Sequence, residues 1–167
     1  MRPTADYWIN KLQLIAHVEG GAYREIYRSP QLLSTNQLPH TFSGNRNACT
    51  GIYFLLQQQQ FSAFHKIASD EQWHFYYGDP LVIYEIDQQG KLMQHYLGSD
   101  IEKGQSFHCT ITAGNWFASR VALGSEYALV GCTCSPGFDF AEFELAERNQ
   151  LIYTYPQHAQ LITELTR

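Results

Sequence analysis

Residues 65–78 read HKIASDEQWHFYYG, which is a strand-like run, a short polar turn and a second strand-like run. The stretch places His65, Glu71 and Gly78 at fixed intervals around this turn. Runs rich in aromatic and branched side chains that are bounded by turn signals are typical of β-strands. The stretch therefore predicts two successive strands that carry an imidazole and a carboxylate near one another.

Alternation decides which of these side chains turn toward the interior, because successive residues of a strand point to opposite faces. The apolar face of the first run holds His65 together with Phe61, Ala63 and Ile67. The corresponding face of the second run holds Glu71 together with Trp73, Phe75 and Tyr77. If both faces are interior, His65 and Glu71 converge in an aromatic-lined cavity, and His74 points the opposite way.

The middle of the chain repeats this period of two, while helical patterns stand only near the ends. About nine strand-like runs are present: AYREIY, CTGIYFLL, FSAFHKI, QWHFYY, LVIYEI, LMQHYL, SFHCTI, WFASRV and YALVGCTC. A helix is expected from about Asp6 to His17, and a second helical region begins at Pro156 with a buried stripe of Leu161, Ile162 and Leu165. The pattern predicts one all-β domain over residues 1–167, a sandwich or barrel with flanking N- and C-terminal helices.

Composition excludes several classes of partner. The formal net charge is −5 and no basic cluster appears, so nucleic acid is not an expected partner. No segment is apolar for long enough to span a bilayer, and the first residues lack the features of a secretory signal, so we expect a cytoplasmic protein without a membrane partner. The four cysteines do not form a disulfide framework, and Cys132 and Cys134 are expected on one face of a strand as reduced thiols.

The pattern His65-x-Ile67-x-x-x-Glu71-x6-Gly78 resembles the first motif of the cupin superfamily, His-x-His-x(3,4)-Glu-x6-Gly. The glycine frame of the second motif is kept in TAGNWF, where Phe117 stands at the histidine position. The stretches HVEGGAYREIYRS, TGIYFLL, SDEQWHFYYGDPL and SPGFDFAEFEL resemble an uncharacterised cupin branch, a domain of unknown function. The resemblance implies a cupin jelly-roll barrel, similar in fold to the metal-independent dTDP-sugar epimerases, and a homodimer.

The resemblance also frames the question of a metal cofactor. The cupin metal site resembles three histidines and one glutamate, and here Ile67 and Phe117 replace two of the histidines. Two remaining ligands rarely hold a transition metal against solvent, so no metal cofactor is expected. His95 or His108 on neighbouring strands could add a ligand, but their spacing does not aim them at His65.

Three functions are compatible with this sequence. The first is a metal-independent isomerase or epimerase in which His65 is the general base and Glu71 orients it or shares its proton. The second is a module that binds a small molecule without turnover, and the third is a metal-dependent cupin enzyme with a reduced ligand set.

Candidate ligand-binding residues are Tyr53, Trp73, Phe75, Tyr77, Phe117 and Arg24. The aromatic members would line the cavity, although each could equally be barrel core. Arg24 would meet an anionic group of the ligand at the pocket mouth, or else protect an exposed strand edge. Tyr53, Tyr77 and Tyr84 are candidates for an acid partner of His65.

Overall fold

The computed structural model describes residues 2–167. The helices are α1 (Ala5–Leu12), α2 (Arg148–Thr154) and α3 (Ala159–Glu164). The strands are β1 (Ile15–Ala16), β2 (Ala22–Arg28), β3 (Leu32–Leu33), β4 (Arg46–Asn47), β5 (Thr50–Gln57), β6 (Phe61–Lys66), β7 (Asp70–Gly78), β8 (Leu81–Ile86), β9 (Leu92–Leu97), β10 (His108–Ile111), β11 (Trp116–Val121), β12 (Tyr127–Ser135) and β13 (Glu144–Leu145). Among the described residues, no helix is both long and apolar enough to cross a membrane.

Two antiparallel sheets pack face to face and form a jelly roll. The first sheet has the order β1-β2-β5-β12-β7-β10, and the second has the order β13-β6-β11-β8-β9. Their inner faces share one buried apolar cluster that includes Phe54, Trp73, Ile83 and Phe117. All nine predicted runs are strands, because their alternation lets each strand bury one side between the sheets. The predicted all-β jelly roll with terminal helices is confirmed.

The helices cover the outer faces of the two sheets. Helix α1 packs Trp8 and Leu12 against the first sheet, beside Leu55 and Tyr127. Helices α2 and α3 bury Leu151 and Ile162 against the second sheet, together with Leu165 directly after α3. Thus each sheet is apolar on both sides over part of its area, which explains why its strands carry few charges.

Helix α1 is shorter than predicted. It ends at Leu12 because Gln13 adopts a left-handed conformation with φ of 54°, and its N–H caps the last turn. Ile15 then lies in β1 and is 62% exposed instead of extending the buried helix face. The chain from Ile15 onward is therefore free to form an edge strand and the turn that follows it.

A β-bulge in β6 changes the predicted alternation of the FSAFHKI run. His65 pairs with Phe117 and Ser62 pairs with Ser119, so two residues of β6 oppose one residue of β11. Phe61 consequently packs with the helix-covered cluster on the outer face, whereas Ile67 packs in the core between the sheets. The predicted interior position of Phe61 is wrong, and His65 reaches the interior by way of the bulge.

Candidate functional site

A cavity of about 260 Å³ opens between the two sheets at one end of the barrel. Its walls come from both sheets, from the turn between β1 and β2, and from the segment 138–140 that follows β12. The residues that line it are His17, Glu19, Tyr23, Glu25, Arg28, Thr50, Ile52, His65, Ile67, Glu71, Cys132, Cys134, Phe138, Asp139 and Phe140. Two imidazoles and four carboxylates thus share a space that would hold about nine water molecules.

The turn at residues 17–21 carries Glu19 into this cavity. The backbone N–H of His17 donates to the carbonyl of Gly21 at 3.1 Å, which closes the turn. Gly20 has φ of 120°, and a Cβ atom there would lie 2.0 Å from the carbonyl oxygen of Phe61. Only glycine allows this approach, and it brings the Glu19 carbonyl within 2.9 Å of the Ala63 N–H in β6. The backbone therefore fixes Glu19 beside the bulge that presents His65.

His65 and Glu19 form a buried hydrogen-bonded pair. His65 Nδ1 lies 2.7 Å from the Ala63 carbonyl oxygen, and Nε2 lies 3.0 Å from Glu19 Oε2. A carbonyl only accepts, so Nδ1 carries a proton and donates it to Ala63. The contact between Nε2 and Oε2 then needs one further proton, held either by the imidazolium or by the carboxylic acid. The pair therefore shares a single proton.

Burial controls the charge of these groups. It raises the pKa of Glu19 to about 7, against the attraction of His17, and it raises the pKa of Glu71 to about 7, against the attraction of His65. Burial also lowers the pKa of His65, although Glu71 and the bond to Ala63 act in the opposite direction. Buried carboxyl groups that titrate near neutral pH beside an imidazole are typical of proton-transfer sites.

His17 lies beside the His65–Glu19 pair. The Glu19 backbone N–H donates to His17 Nδ1 at 3.4 Å, and that same nitrogen lies 3.6 Å from Glu19 Oε2. Burial lowers the pKa of His17, while the charge of Glu19 raises it. The Tyr23 ring stands edge-on to the imidazole, at 4.5 Å between centroids, and restricts its orientation.

The sequence-predicted pair is only partly reproduced. His65 and Glu71 both line the cavity, His65 from the second sheet and Glu71 from the first. The group hydrogen-bonded to Nε2 is Glu19, however, and Glu71 acts on His65 through its charge. Sequence reasoning missed Glu19, and it placed His17 at the end of the first helix. Their position directly before Gly20-Gly21, whose turn returns the chain to the barrel, is the signal that could have identified them.

The predicted aromatic lining lies mainly beneath or outside the cavity. Phe117 is 1% exposed and packs against His65 at 4.1 Å between ring centroids. Trp73 is equally buried and Phe75 packs against the same core, so these residues support the cavity floor from behind. The rings that actually line the cavity belong to Tyr23, Phe138 and Phe140.

Tyr53, Tyr77 and Arg24 do not reach the cavity. Tyr53 and Arg24 are register partners on the outer face of the first sheet, where Arg24 donates to the Leu12 carbonyl at 3.1 Å and caps α1. A register shift in β7 turns Tyr77 outward, and its ring packs 5.4 Å from that of Trp8. The predicted place of Arg24 at the pocket mouth is wrong, and Arg28 occupies that place.

The other histidines lie away from His65. His74 points to the outer face, as alternation predicts, and stacks on His108 at 5.0 Å between ring centroids. His95 Nε2 lies 2.7 Å from Glu85 Oε2 at the far end of the second sheet. None of the three lines the cavity.

Comparison with known proteins identifies the family. Residues 6–146 match the model described as Cupin superfamily (DUF985). This chain belongs to the cupin superfamily. Uncharacterized protein YML079W of Saccharomyces cerevisiae is 30% identical to this cupin in an alignment of 146 residues that covers 80% of this chain and 71% of the yeast protein.

Solved structures agree with this assignment. A hypothetical protein from Leishmania major shares 35% identity and a TM-score of 0.90, covering 98% of this cupin and 99% of its own chain. Protein SO0799 from Shewanella oneidensis shares 37% identity and a TM-score of 0.89, covering 99% and 98%. The predicted membership of an uncharacterised cupin branch is confirmed, while the likeness to dTDP-sugar epimerases stays a prediction.

The side chains of this cupin do not fit the metal site that the family pattern implies. Ile67 lines the cavity with carbon atoms alone, and the Phe117 ring lies against the His65 imidazole. His65 Nε2, the nitrogen that faces the cavity, is bonded to Glu19. Within residues 2–167, no group of three or more His, Cys, Asp or Glu side chains is placed to hold a metal ion.

Proposed function

We propose that this cupin binds a small molecule and isomerises or epimerises it by metal-independent proton transfer. The observation that carries the proposal is the buried contact of 3.0 Å between His65 Nε2 and Glu19 Oε2 at the cavity wall. A proton that either partner of a buried hydrogen bond can hold is available for transfer to a ligand in the cavity. It differs from a structural ion pair in facing an open cavity.

The second acid–base group is Glu71, which approaches the cavity from the opposite sheet. In the proposed reaction, the C–H bond next to a ligand carbonyl breaks, its electron pair forms an enolate, and the proton passes to the His65–Glu19 pair. Glu71 then returns a proton to the carbon from the other side, which inverts the centre. The pair acts as base after its shared proton has left, and Glu71 acts while protonated. Because the pKa values of Glu19 and Glu71 both lie at about 7, the rate should peak near neutral pH.

Ligand binding without turnover is the second candidate. Tyr23, Phe138 and Phe140 give the cavity an aromatic wall, and Cys132 and Cys134 provide a buried, uncharged floor. Burial raises the pKa of both thiols, with the charge of Glu71 acting in the same direction, so the thiolate nucleophile is disfavoured. Such a lining suits a small, partly apolar ligand with or without chemistry.

Solvent isotope exchange separates the two candidates. The protein is incubated in D₂O with a panel of neutral, anionic and cationic carbonyl compounds, and NMR follows the loss of C–H signals next to the carbonyl. We expect exchange of at least one compound by the wild type and a loss of about a hundredfold or more in His65→Asn. The exposed residue His40 supplies the matched control, His40→Asn, which should exchange like the wild type.

Exchange that persists in His65→Asn would contradict the assignment of the base. If a compound binds in the cavity and no compound of the panel undergoes exchange, the protein is a binding module without turnover.

A homodimer and a cytoplasmic location complete the proposal. Ile15, Ile26 and Tyr27, on the neighbouring strands β1 and β2, are 62%, 48% and 53% exposed. A second copy of the chain would cover these apolar side chains. Light scattering after size exclusion should give twice the mass of one chain, and the mass of a single chain would refute the dimer.

A further inference from the structure

The side chains that line the cavity include more carboxylates than permanently charged cations. Four carboxylates line it within the described residues: Glu19, Glu25, Glu71 and Asp139. Arg28 is the only arginine or lysine among the lining residues of this part of the chain. Glu19 and Glu71 are deep in the cavity at 6% and 8% exposed, whereas Glu25 and Asp139 stand at its exposed mouth.

Arg28 is not free to receive an anion. Its Nη2 donates to Glu25 Oε2 at 2.7 Å and its Nε donates to Glu25 Oε1 at 3.0 Å, which is a two-bond pairing. Its Nη1 donates to Asn47 Oδ1 at 2.9 Å, and the Phe138 carbonyl oxygen lies 3.3 Å from both terminal nitrogens. The guanidinium therefore holds the segment 138–140 in place and has its charge neutralised by Glu25.

Glu71 is a buried carboxyl without a cation of its own. It lines the cavity beside the neutral hydrogen-bond donors Cys132 and Trp73, and it forms no salt bridge with any described residue. The basic group whose charge acts on Glu71 is His65, and the Nε2 of His65 is bonded to Glu19. A buried carboxyl that faces an open cavity and lacks a counter-ion is a binding point for a ligand that brings a positive charge.

The aromatic wall favours the same kind of ligand. Phe138 and Phe140 meet at 5.0 Å between centroids with their planes at 79°, and Tyr23 lines the cavity beside His17. Aromatic faces are negative and attract cations that approach within about 6 Å of the ring centre. A cavity that is lined by both carboxylates and aromatic rings is suited to bind organic ammonium and amidinium groups.

We infer that the cavity binds a small organic cation, either an amine or an amidinium. The space would hold about nine water molecules, so the ligand should have about nine non-hydrogen atoms. This inference rests on the proposed function, because it names the ligand class of the same cavity. Anionic substrates such as sugar nucleotides are disfavoured, since every charged donor at the cavity is already paired or is an imidazole in a site that disfavours its protonation.

Three isosteric probes test the inference: benzamidine, benzamide and benzoate, which share shape and size and differ in charge. Binding is followed by ¹H–¹⁵N NMR at about pH 8 and about pH 6, so that the shifted signals locate the probe. At about pH 8 we expect benzamidine to bind at least about tenfold more tightly than benzamide, and benzoate to bind most weakly.

The pH series adds a second criterion. The preference for benzamidine should shrink toward about pH 6, because Glu19 and Glu71 become protonated and lose their charge. The other charged and titratable groups that face these two carboxyls are His17, His65, Arg167, Cys132 and Cys134. Imidazole protonation also disfavours a cation at the lower pH, so it acts in the same direction.

Glu71→Gln keeps the volume and removes the charge, and it should abolish most of the benzamidine preference. Glu102→Gln, at an exposed glutamate in the loop between β9 and β10, is the matched control and should keep it. The inference would be overturned if benzamidine did not bind, bound no better than benzamide, or bound more weakly than benzoate. It would also be overturned if the shifted signals lay only on another surface. If benzamidine binds as expected but no carbonyl compound undergoes isotope exchange, the proposed catalysis is refuted. The inferred ligand class is then still supported.

Discussion

Replacing Glu71 with glutamine should make the protein more stable at alkaline pH. Burial raises the pKa of Glu71 to about 7 from an ordinary value of 4.5. A tenfold change in proton affinity corresponds to about 1.4 kcal/mol, so the ionised form costs about 3 kcal/mol of folding free energy. The folded state favours the protonated acid, and its stabilising effect is complete below the unfolded pKa. It is lost as the pH rises from about 4.5 through about 7.

The assay is urea unfolding followed by tryptophan fluorescence, at fixed protein concentration, from about pH 5 to about pH 9. The wild type should lose about 2–3 kcal/mol more than Glu71→Gln over this range. Glu102→Gln, an exposed charge change, should follow the wild type. Parallel pH profiles of wild type and Glu71→Gln would refute the idea that Glu71 is a buried acid without a cation partner.

Three further changes test how the site is built. Gly20→Ala should destabilise the fold by about 3 kcal/mol in urea unfolding, because its Cβ would clash with the Phe61 carbonyl; Gly124→Ala, which has similar freedom but open space, should cost only about 1 kcal/mol, and equal losses would contradict the close approach. Glu85→Gln weakens bonds to His95, Thr112 and Asn115, whose combined effect lowers the pKa of Glu85 against the effect of burial. We therefore expect Glu85→Gln to lose about 1–3 kcal/mol of unfolding free energy near neutral pH. This loss should shrink at acid pH, where the wild-type carboxyl becomes protonated, and a loss independent of pH would contradict this. Arg28→Met should change stability by less than about 1 kcal/mol yet speed chymotrypsin cleavage at Phe138 and Phe140, and unchanged cleavage would show that Arg28 does not hold that segment.

The strands were predictable because their signal is local. A short run rich in aromatic and branched residues between turn signals is enough to identify a strand such as LVIYEI, which forms β8 with every residue buried. Helix α1 was predicted too long because its apolar spacing continues to Ile15. The end of the helix depends on the left-handed conformation of Gln13, for which the residue type gives no warning.

The site was predictable only as far as the alternation held. His65 and Glu71 are close in sequence across one turn, so their convergence follows from strand geometry. The bulges in β6 and β7 depend on the register with β11 and β12, which no local pattern encodes, and they displaced Phe61 and Tyr77 from their predicted faces.

Glu19 shows most clearly why sequence reasoning stopped short. Its carboxylate meets His65 only because Gly20 packs on the carbonyl of Phe61 in a distant part of the chain. A lone glutamate before a glycine pair looks like an exposed turn residue, and only the tertiary contact makes it 6% exposed.

The proton between His65 and Glu19 can be observed directly by ¹⁵N NMR of the histidine side chains. We expect His65 Nδ1 to keep its proton from about pH 5 to about pH 9, while Nε2 titrates together with the Glu19 carboxyl carbon. Glu19→Gln should leave the Nδ1 proton in place and lower the pKa of the imidazole further. A neutral His65 with its proton on Nε2, or a titration that is the same in Glu19→Gln, would contradict the shared proton on which the proposed chemistry depends.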